Sequence, residues 1–138
     1  MSLENTTIVE ILDTFEFLDD WEERYRYVID LGRKLDPLDA SEMSEQYKVR
    51  GCQSQVWLVP EKDEAGIITL RGDSDAHIVK GLVALMLLIF SGKTAEEILA
   101  TDARGMLDKL GLASHLSPMR ANGLFSMVER IREIAETA

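Results

Sequence analysis

The stretch QVWLVPEKDEAGIITLRGDSDAHIVKGLVALMLLIF, residues 55–90, decides the fold. It opens with a β-rich run at 55–59, which Pro60 closes, and a second β-rich run follows at 67–70. The turn segment between these runs is too short for a crossover helix, so we expect the two strands to pair antiparallel. The apolar run at 78–90 then predicts a helix that is buried on most of its sides.

A third strand is expected just before this stretch. Tyr47 and Val49 alternate there with Lys48 and Arg50, and a period of two is typical of a strand. With the two later runs, this segment would complete a meander of three short strands. The connections along the meander are again short, which favours antiparallel pairing throughout.

Capping signals mark the helices on both sides of the sheet. Thr7 with Glu10 and Asp20 with Glu23 predict two helices in the first 35 residues. Further helix starts are expected at Asp73 to Asp75, Thr94, Asp102 and Ser117. We therefore predict one α+β domain over residues 1–138, in which a small three-stranded antiparallel sheet packs against helices.

Length and composition limit the kinds of site that the chain can build. A chain of 138 residues with 46% hydrophobic side chains can form a core without a disulfide or a structural metal. Its single cysteine excludes an intramolecular disulfide and any all-cysteine zinc or iron–sulfur site within one copy. Only two histidines are present, so we expect no metal site of the chain's own.

The net charge of −10 is concentrated at one end of the chain. Residues 1–45 carry 13 acidic and 4 basic side chains, whereas the remainder carries 12 and 11. Phosphate backbones and anionic lipids repel such a chain, so we expect neither nucleic-acid nor membrane binding. The acidic third is interpreted as a solvated face, with the alternative that it steers a basic partner.

The sequence also favours the cytosol. Residues 1–7 are polar and lack the basic and apolar regions of a secretory signal. The strongly apolar run at 82–90 is too short to cross a bilayer, which needs about 20 residues. A free thiol fits the reducing environment of the cytosol.

Cys52 is the candidate nucleophile. It follows Gly51 between two strand-like runs, where a hairpin tip would make the thiol reachable by another protein. In an extended segment Lys48, Arg50 and Cys52 would point to one face, and two cations near the sulfur would favour the thiolate. The alternatives are that Cys52 fills the core as a small apolar side chain and that Gly51 only supplies a turn with positive φ.

Four further side chains have two interpretations each. We expect Asp75 to cap the start of the buried helix, with the alternative that it holds the Cys52 loop by accepting backbone hydrogen bonds. Arg120 either contacts a partner or is simply solvated. His77 and His115 are expected to make local packing contacts or hydrogen bonds, although either of them could be the base of a Cys–His hydrolase.

The segment VRGCQSQVW (49–57), together with blocks before and after it in the chain, resembles the SufE family of sulfur carriers for iron–sulfur cluster assembly. This segment is similar to the family's signature around its reactive cysteine. Similar blocks lie elsewhere in the chain: WEERY (21–25) with IDLG (29–32), GDSDA (72–76) with IVKGL (78–82), and HLSP (115–118) with Arg120 and GL (123–124). The chain differs from the usual pattern at Met119, Ala121 and Asn122.

The resemblance implies a fold, a partner and a set of site residues. The fold would be the one shared with IscU-type scaffolds. Cys52 would accept persulfide sulfur from a cysteine desulfurase of the SufS type, stimulate that enzyme, and pass the sulfur to a SufBCD-type scaffold. The pyridoxal phosphate would belong to the desulfurase, so no cofactor is expected on this chain. The residues implied in loop and partner contacts are Arg50, Gly51, Gln53, Ser54, Gln55, Asp75 and Arg120.

Other functions remain as alternatives. A CsdE-type acceptor would serve a different desulfurase, and a non-catalytic adaptor would stimulate its partner by binding alone. A Cys–His hydrolase would need an imidazole within hydrogen-bond reach of Cys52. On the leading hypothesis the protein is a transpersulfuration partner rather than a stand-alone enzyme. Whether it forms a homodimer is left open by the sequence.

Overall fold

The computed structural model describes residues 7–52 and 54–138. Its elements follow one another in this order: α1 (Ile8–Phe17), α2 (Trp21–Gly32), a 3-10 turn (Ala40–Glu42), β1 (Val56–Lys62), β2 (Ile67–Ser74), α3 (His77–Phe90), β3 (Lys93–Thr94), α4 (Ala95–Ala100), α5 (Ala103–Leu110), α6 (Leu112–His115) and α7 (Pro118–Thr137). The predicted α+β fold with a three-stranded antiparallel sheet is confirmed.

The third strand of the sheet is not the one that the alternation predicted. The sheet order is β1-β2-β3, so the short β3 after the buried helix completes it. The segment around Tyr47 instead forms a single bridge, between Lys48 and Trp57, on the outer edge of β1. The Val49 amide donates to the Val56 carbonyl at 2.8 Å, and the chain then turns away at Gly51 before a ladder can grow.

Helix α3 lies at the centre of the core, as its apolar sequence predicted. It packs against α2 and β2, and most of its side chains are buried. Two glycines allow the approach of α2 to α3: a Cβ on Gly81 would lie 2.2 Å from the Val28 carbonyl oxygen, and one on Gly32 would lie 2.6 Å from the Gly81 nitrogen. The helix backbones are therefore in direct contact, closer than side chains would permit.

Most of the predicted helix starts are confirmed. The side chains of Thr7, Asp20, Thr94, Asp102 and Ser117 each accept a hydrogen bond from the amide three residues later. The start of α3 differs, because its N-cap is Ala76 and no side chain caps it. Asp73 and Ser74 belong to β2 instead, since pairing of Ser74 with Val56 extends that strand further than its apolar run.

The segment between α2 and β1 covers the face of the sheet that points away from α3. Because strand side chains alternate, Val56 and Leu58 face the main core while Trp57 faces outward, where a smaller cluster forms with Leu38, Val59 and Tyr47. Arg71 of β2 donates to both carboxylate oxygens of Glu42 and also to Glu61. We call the Arg71–Glu42 pair the clasp, because it joins this covering segment to the sheet.

No helix in the described ranges has both the length and the apolar composition needed to cross a bilayer.

Candidate functional site

Cys52 lies on a tight turn that only a glycine can enter. Gly51 has a φ of +90°, in the region that side-chain-bearing residues rarely adopt. A Cβ at this position would also lie 2.5 Å from the hydroxyl oxygen of Ser126 in α7. The turn therefore rests directly on α7, and both the backbone angle and the close approach require the absence of a side chain.

Hydrogen bonds fix the chain on the far side of the turn. The Gln55 amide donates to Asp75 Oδ1 at 3.0 Å, and the Gln55 carbonyl accepts from the Ser74 hydroxyl at 2.7 Å and from the Asp75 amide at 3.3 Å. The prediction that Asp75 caps α3 is therefore wrong. Its carboxylate holds the segment that follows Cys52, because β2 ends beside β1 and brings Asp75 to the Gln55 amide.

The Cys52 sulfur is half-buried against α7. Its thiol has one hydrogen-bond acceptor among the described residues, the Gly123 carbonyl oxygen, at 3.5 Å from Sγ. A Cβ on Gly123 would lie 3.5 Å from the same sulfur, which is an ordinary van der Waals contact. A single weak contact thus holds the thiol on the helix, whereas the segments on both sides of the turn are fixed by stronger bonds.

A cavity of about 280 Å³ opens beside the sulfur. It is lined by Cys52, Ser54, Val79, Leu82, Met119, Arg120, Gly123 and Met127. Val79, Leu82 and Met127 are buried and give it an apolar floor, whereas Met119 and Arg120 are exposed at its rim. We call it the Cys52 cavity. Cys52 therefore faces a space that is open at one end, so it is not enclosed within the core.

Burial raises the pKa of the Cys52 thiol, since removing the thiolate from water disfavours its charge. The prediction that Lys48 and Arg50 lie on the same face as the sulfur is wrong. Both pair instead with Glu45, at 4.0 and 3.5 Å, and line a separate groove of about 630 Å³. The turn at Gly51 redirects the chain between Arg50 and Cys52, so the two cations line that groove and not the cavity beside the thiol.

The other residues implied by the resemblance gather around this turn. Arg50, Gly51, Ser54 and Gln55 belong to the turn segment itself, Asp75 bonds to it, and Arg120 lines the Cys52 cavity. Gln53 lies outside the described residues. The Arg120 amide donates to the Ser117 hydroxyl at the start of α7, and its side chain is exposed.

The sequence assigned no role to two residues that lie under the turn. Gly123 and Ser126 support Cys52 and Gly51 respectively, and they lie three positions apart on one face of α7. Small residues at that spacing indicate a helix face that another backbone can approach closely. The spacing was visible in the sequence, but the sequence did not identify the turn as the backbone that approaches.

The histidines do not complete a hydrolase site with Cys52. His115 stacks on Trp21 with ring centroids 3.8 Å apart, and its Nδ1 lies 3.0 Å from the Gly111 carbonyl oxygen. The prediction of local packing and hydrogen bonding is therefore confirmed for His115. His77 is exposed at the start of α3, and no histidine is among the described residues that line the Cys52 cavity.

The acidic, cysteine and histidine side chains that the structure describes form no group of three or more that could hold a metal ion.

Comparison with known proteins identifies the family. The model of the SufE family, described as an Fe-S metabolism associated domain, matches residues 9–135. An uncharacterised SufE-like protein of Rhizobium meliloti is 52% identical over 134 residues, which cover 95% of this chain and 96% of that protein. A second, from Rhizobium etli, is 54% identical over 130 residues, which cover 92% and 88%.

The fold also matches a solved structure. The solution structure of a hypothetical protein from Thermus thermophilus superposes with a TM-score of 0.74 and covers 95% of this chain and 94% of that one. The two sequences are 22% identical, so this likeness concerns the fold alone. The family match over nearly the whole chain confirms the resemblance found in the motifs: this protein belongs to the SufE family.

Proposed function

We propose that this protein accepts sulfur on Cys52 from a cysteine desulfurase and carries it to an iron–sulfur cluster scaffold. The observation that carries the proposal is the position of the chain's single cysteine: a half-buried thiol, which one weak contact holds on α7, beside an open cavity. Membership of a family described by Fe-S metabolism supports the same role.

The chemistry needs no oxidant or reductant. The Cys52 thiolate attacks the outer sulfur of a persulfide on the desulfurase, so a new S–S bond forms at Cys52. The S–S bond of the donor breaks, and the donor cysteine leaves as a thiolate. A second exchange of the same kind moves the sulfur from Cys52 to the acceptor. Each step conserves atoms and electrons.

The proposed partners supply what this chain lacks. The donor is a SufS-type desulfurase that holds the pyridoxal phosphate, and the acceptor is a SufBCD-type scaffold, so this chain carries no cofactor of its own. We place the reaction in the cytosol, where a thiol stays reduced. A raised thiol pKa fits a resting cysteine that ionises when the turn leaves its contact on α7 to enter the donor's site.

Mass spectrometry after incubation with the desulfurase, pyridoxal phosphate and cysteine tests the proposal. We expect Cys52 to gain one sulfur atom, a reductant to remove it, and the desulfurase to turn over faster. Cys52→Ser is the matched variant, because it changes one atom on the same turn, and it should lose both the added sulfur and the stimulation.

Two results would contradict this function. An unchanged mass while the desulfurase turns over would exclude the relay, and full stimulation by Cys52→Ser would identify an adaptor. To distinguish a SufE-type acceptor from a CsdE-type acceptor, this protein is incubated separately with a SufS-type desulfurase and with one that serves CsdE-type acceptors. Only the cognate desulfurase should load Cys52 quickly.

A further inference from the structure

The Cys52 cavity has a charge opposite to that of the whole chain. The protein carries a net charge of −10, yet none of the described residues that line this cavity is acidic. The one charged residue among them is Arg120, which is exposed at the rim. Helix α7, 20 residues long, also begins there, so the positive end of its dipole adds to the guanidinium charge. The mouth of the cavity is therefore suited to an anion.

Arg120 has no carboxylate partner among the described residues. Acidic side chains pair with five other arginines of the chain, Arg26, Arg33, Arg50, Arg71 and Arg130, but no such pair within the described ranges includes Arg120. Its guanidinium can therefore take a carboxylate from a ligand without first breaking an ion pair. A guanidinium matches a carboxylate well, because two parallel N–H groups can donate to its two oxygens.

The size and floor of the cavity limit the ligand further. A volume of about 280 Å³ lies just below the usual range for ligand pockets, roughly 300–1,000 Å³, and suits a molecule of amino-acid size. The apolar floor of Val79, Leu82 and Met127 lies beside the Cys52 sulfur. A ligand that fills this space has a carboxylate at one end and an apolar or sulfur-bearing end at the other.

We propose that the Cys52 cavity binds a small anionic thiol, with its carboxylate at Arg120 and its sulfur at Cys52, and that this thiol takes sulfur directly from the carrier. This inference rests on the proposed function, because it requires a persulfide on Cys52. The thiolate of the ligand attacks the outer sulfur and forms a new S–S bond, while the bond to Cys52 breaks. Cys52 leaves as a thiolate, which takes a proton from water, and the small thiol becomes a persulfide.

The test compares small thiols of similar size but different charge. Cys52 is loaded with inorganic polysulfide, without a desulfurase, and mass spectrometry verifies the addition of one sulfur. Mercaptopropionate, mercaptoethanol and cysteamine then remove that sulfur, and each rate is divided by the concentration of the thiolate form. We expect the anionic thiol to react fastest, by about two- to fivefold over the cationic one, which is the size of one exposed ion pair. Its rate should also saturate with concentration.

Arg120→Gln should abolish the preference, whereas Arg33→Gln should keep it, because Arg33 is also exposed but does not line the cavity. Equal rates for the three thiols, or the same preference in Arg120→Gln, would overturn the inference. If a desulfurase fails to load Cys52 while chemically loaded protein keeps the Arg120-dependent preference, the proposed function fails and the thiol site stands.

Discussion

At the scale of single residues, the reactivity of Cys52 depends on how far its thiol is buried. Because burial raises the pKa of this thiol, we expect its alkylation rate to rise with pH around a midpoint above the ordinary value of about 8.5. In urea the midpoint should fall to that ordinary value. Alkylation kinetics between neutral and alkaline pH measure the midpoint in the folded protein and the midpoint in urea. A folded-state midpoint at or below the ordinary value would contradict the expectation.

The same shift predicts how stability depends on pH. The folded state favours the protonated thiol, so Cys52 makes its full contribution to the free energy of unfolding below the pKa of the unfolded chain. It is lost as the pH rises through the higher pKa of the folded state. Cys52→Ser removes the ionisation, so the variant should lose less stability than the wild type over the alkaline range, as measured by urea unfolding.

Gly51 allows a second prediction at this scale, with a control elsewhere in the chain. Gly51→Ala should cost roughly 1–2 kcal/mol for its positive φ and more for the clash with Ser126. Gly66→Ala shares the positive φ, at +85°, but a Cβ there meets nothing within 4 Å. Urea unfolding should therefore show the larger loss for Gly51→Ala. Only that variant should speed alkylation of Cys52, because it pushes the turn off α7.

At the scale of elements, the junction between β2 and α3 controls the segment after Cys52. Asp75→Ala removes the acceptor for the Gln55 amide, so we expect that amide to exchange with solvent faster. Asp75→Asn keeps an oxygen in the same place and should exchange nearly as slowly as the wild type. Equal protection in all three proteins would show that the two bonds to the Gln55 carbonyl are sufficient.

The clasp is a second feature at this scale, and it should be sensitive to acid. Hydrogen bonds from Arg71 hold the pKa of Glu42 below its usual range, and a bond from the Asp39 amide acts in the same direction. A lowered folded-state pKa stabilises the protein above the unfolded pKa, and this stabilisation is lost as the pH falls through the folded one. Glu42→Gln should therefore lose less stability on acidification than the wild type in urea titrations over the acidic range.

At the scale of the whole molecule, the core can pack only if α2 and α3 approach each other closely. Gly81→Ala places a methyl group against the Val28 carbonyl, so we expect a loss of at least roughly 1–3 kcal/mol, typical of overpacking. Gly123→Ala, in α7, is the matched change, because a Cβ there would make only ordinary van der Waals contacts, the nearest at 3.5 Å. It should cost little or even stabilise α7, while its methyl group slows alkylation of the nearby sulfur. Similar stabilities for the two variants would contradict this account of the core.

The sequence by itself determined most elements of this protein and its candidate nucleophile. Local rules were enough for this: two short β-rich runs predicted β1 and β2, an unbroken apolar run predicted α3, and side-chain caps fixed the starts of most other helices. The motif around Cys52 identified the family for a similar reason, because the residues that carry it lie next to one another in the chain.

Only the tertiary structure decided what surrounds the sulfur. Lys48 and Arg50 were predicted near Cys52 from alternation, but the positive φ of Gly51 turns the chain between them and the sulfur. Asp75 was predicted to cap α3, but strand pairing brings it to the Gln55 amide. The cavity itself is formed by α3, α7 and the turn, segments far apart in sequence. Contacts of that kind depend on how elements pack, and no local pattern of residues encodes them.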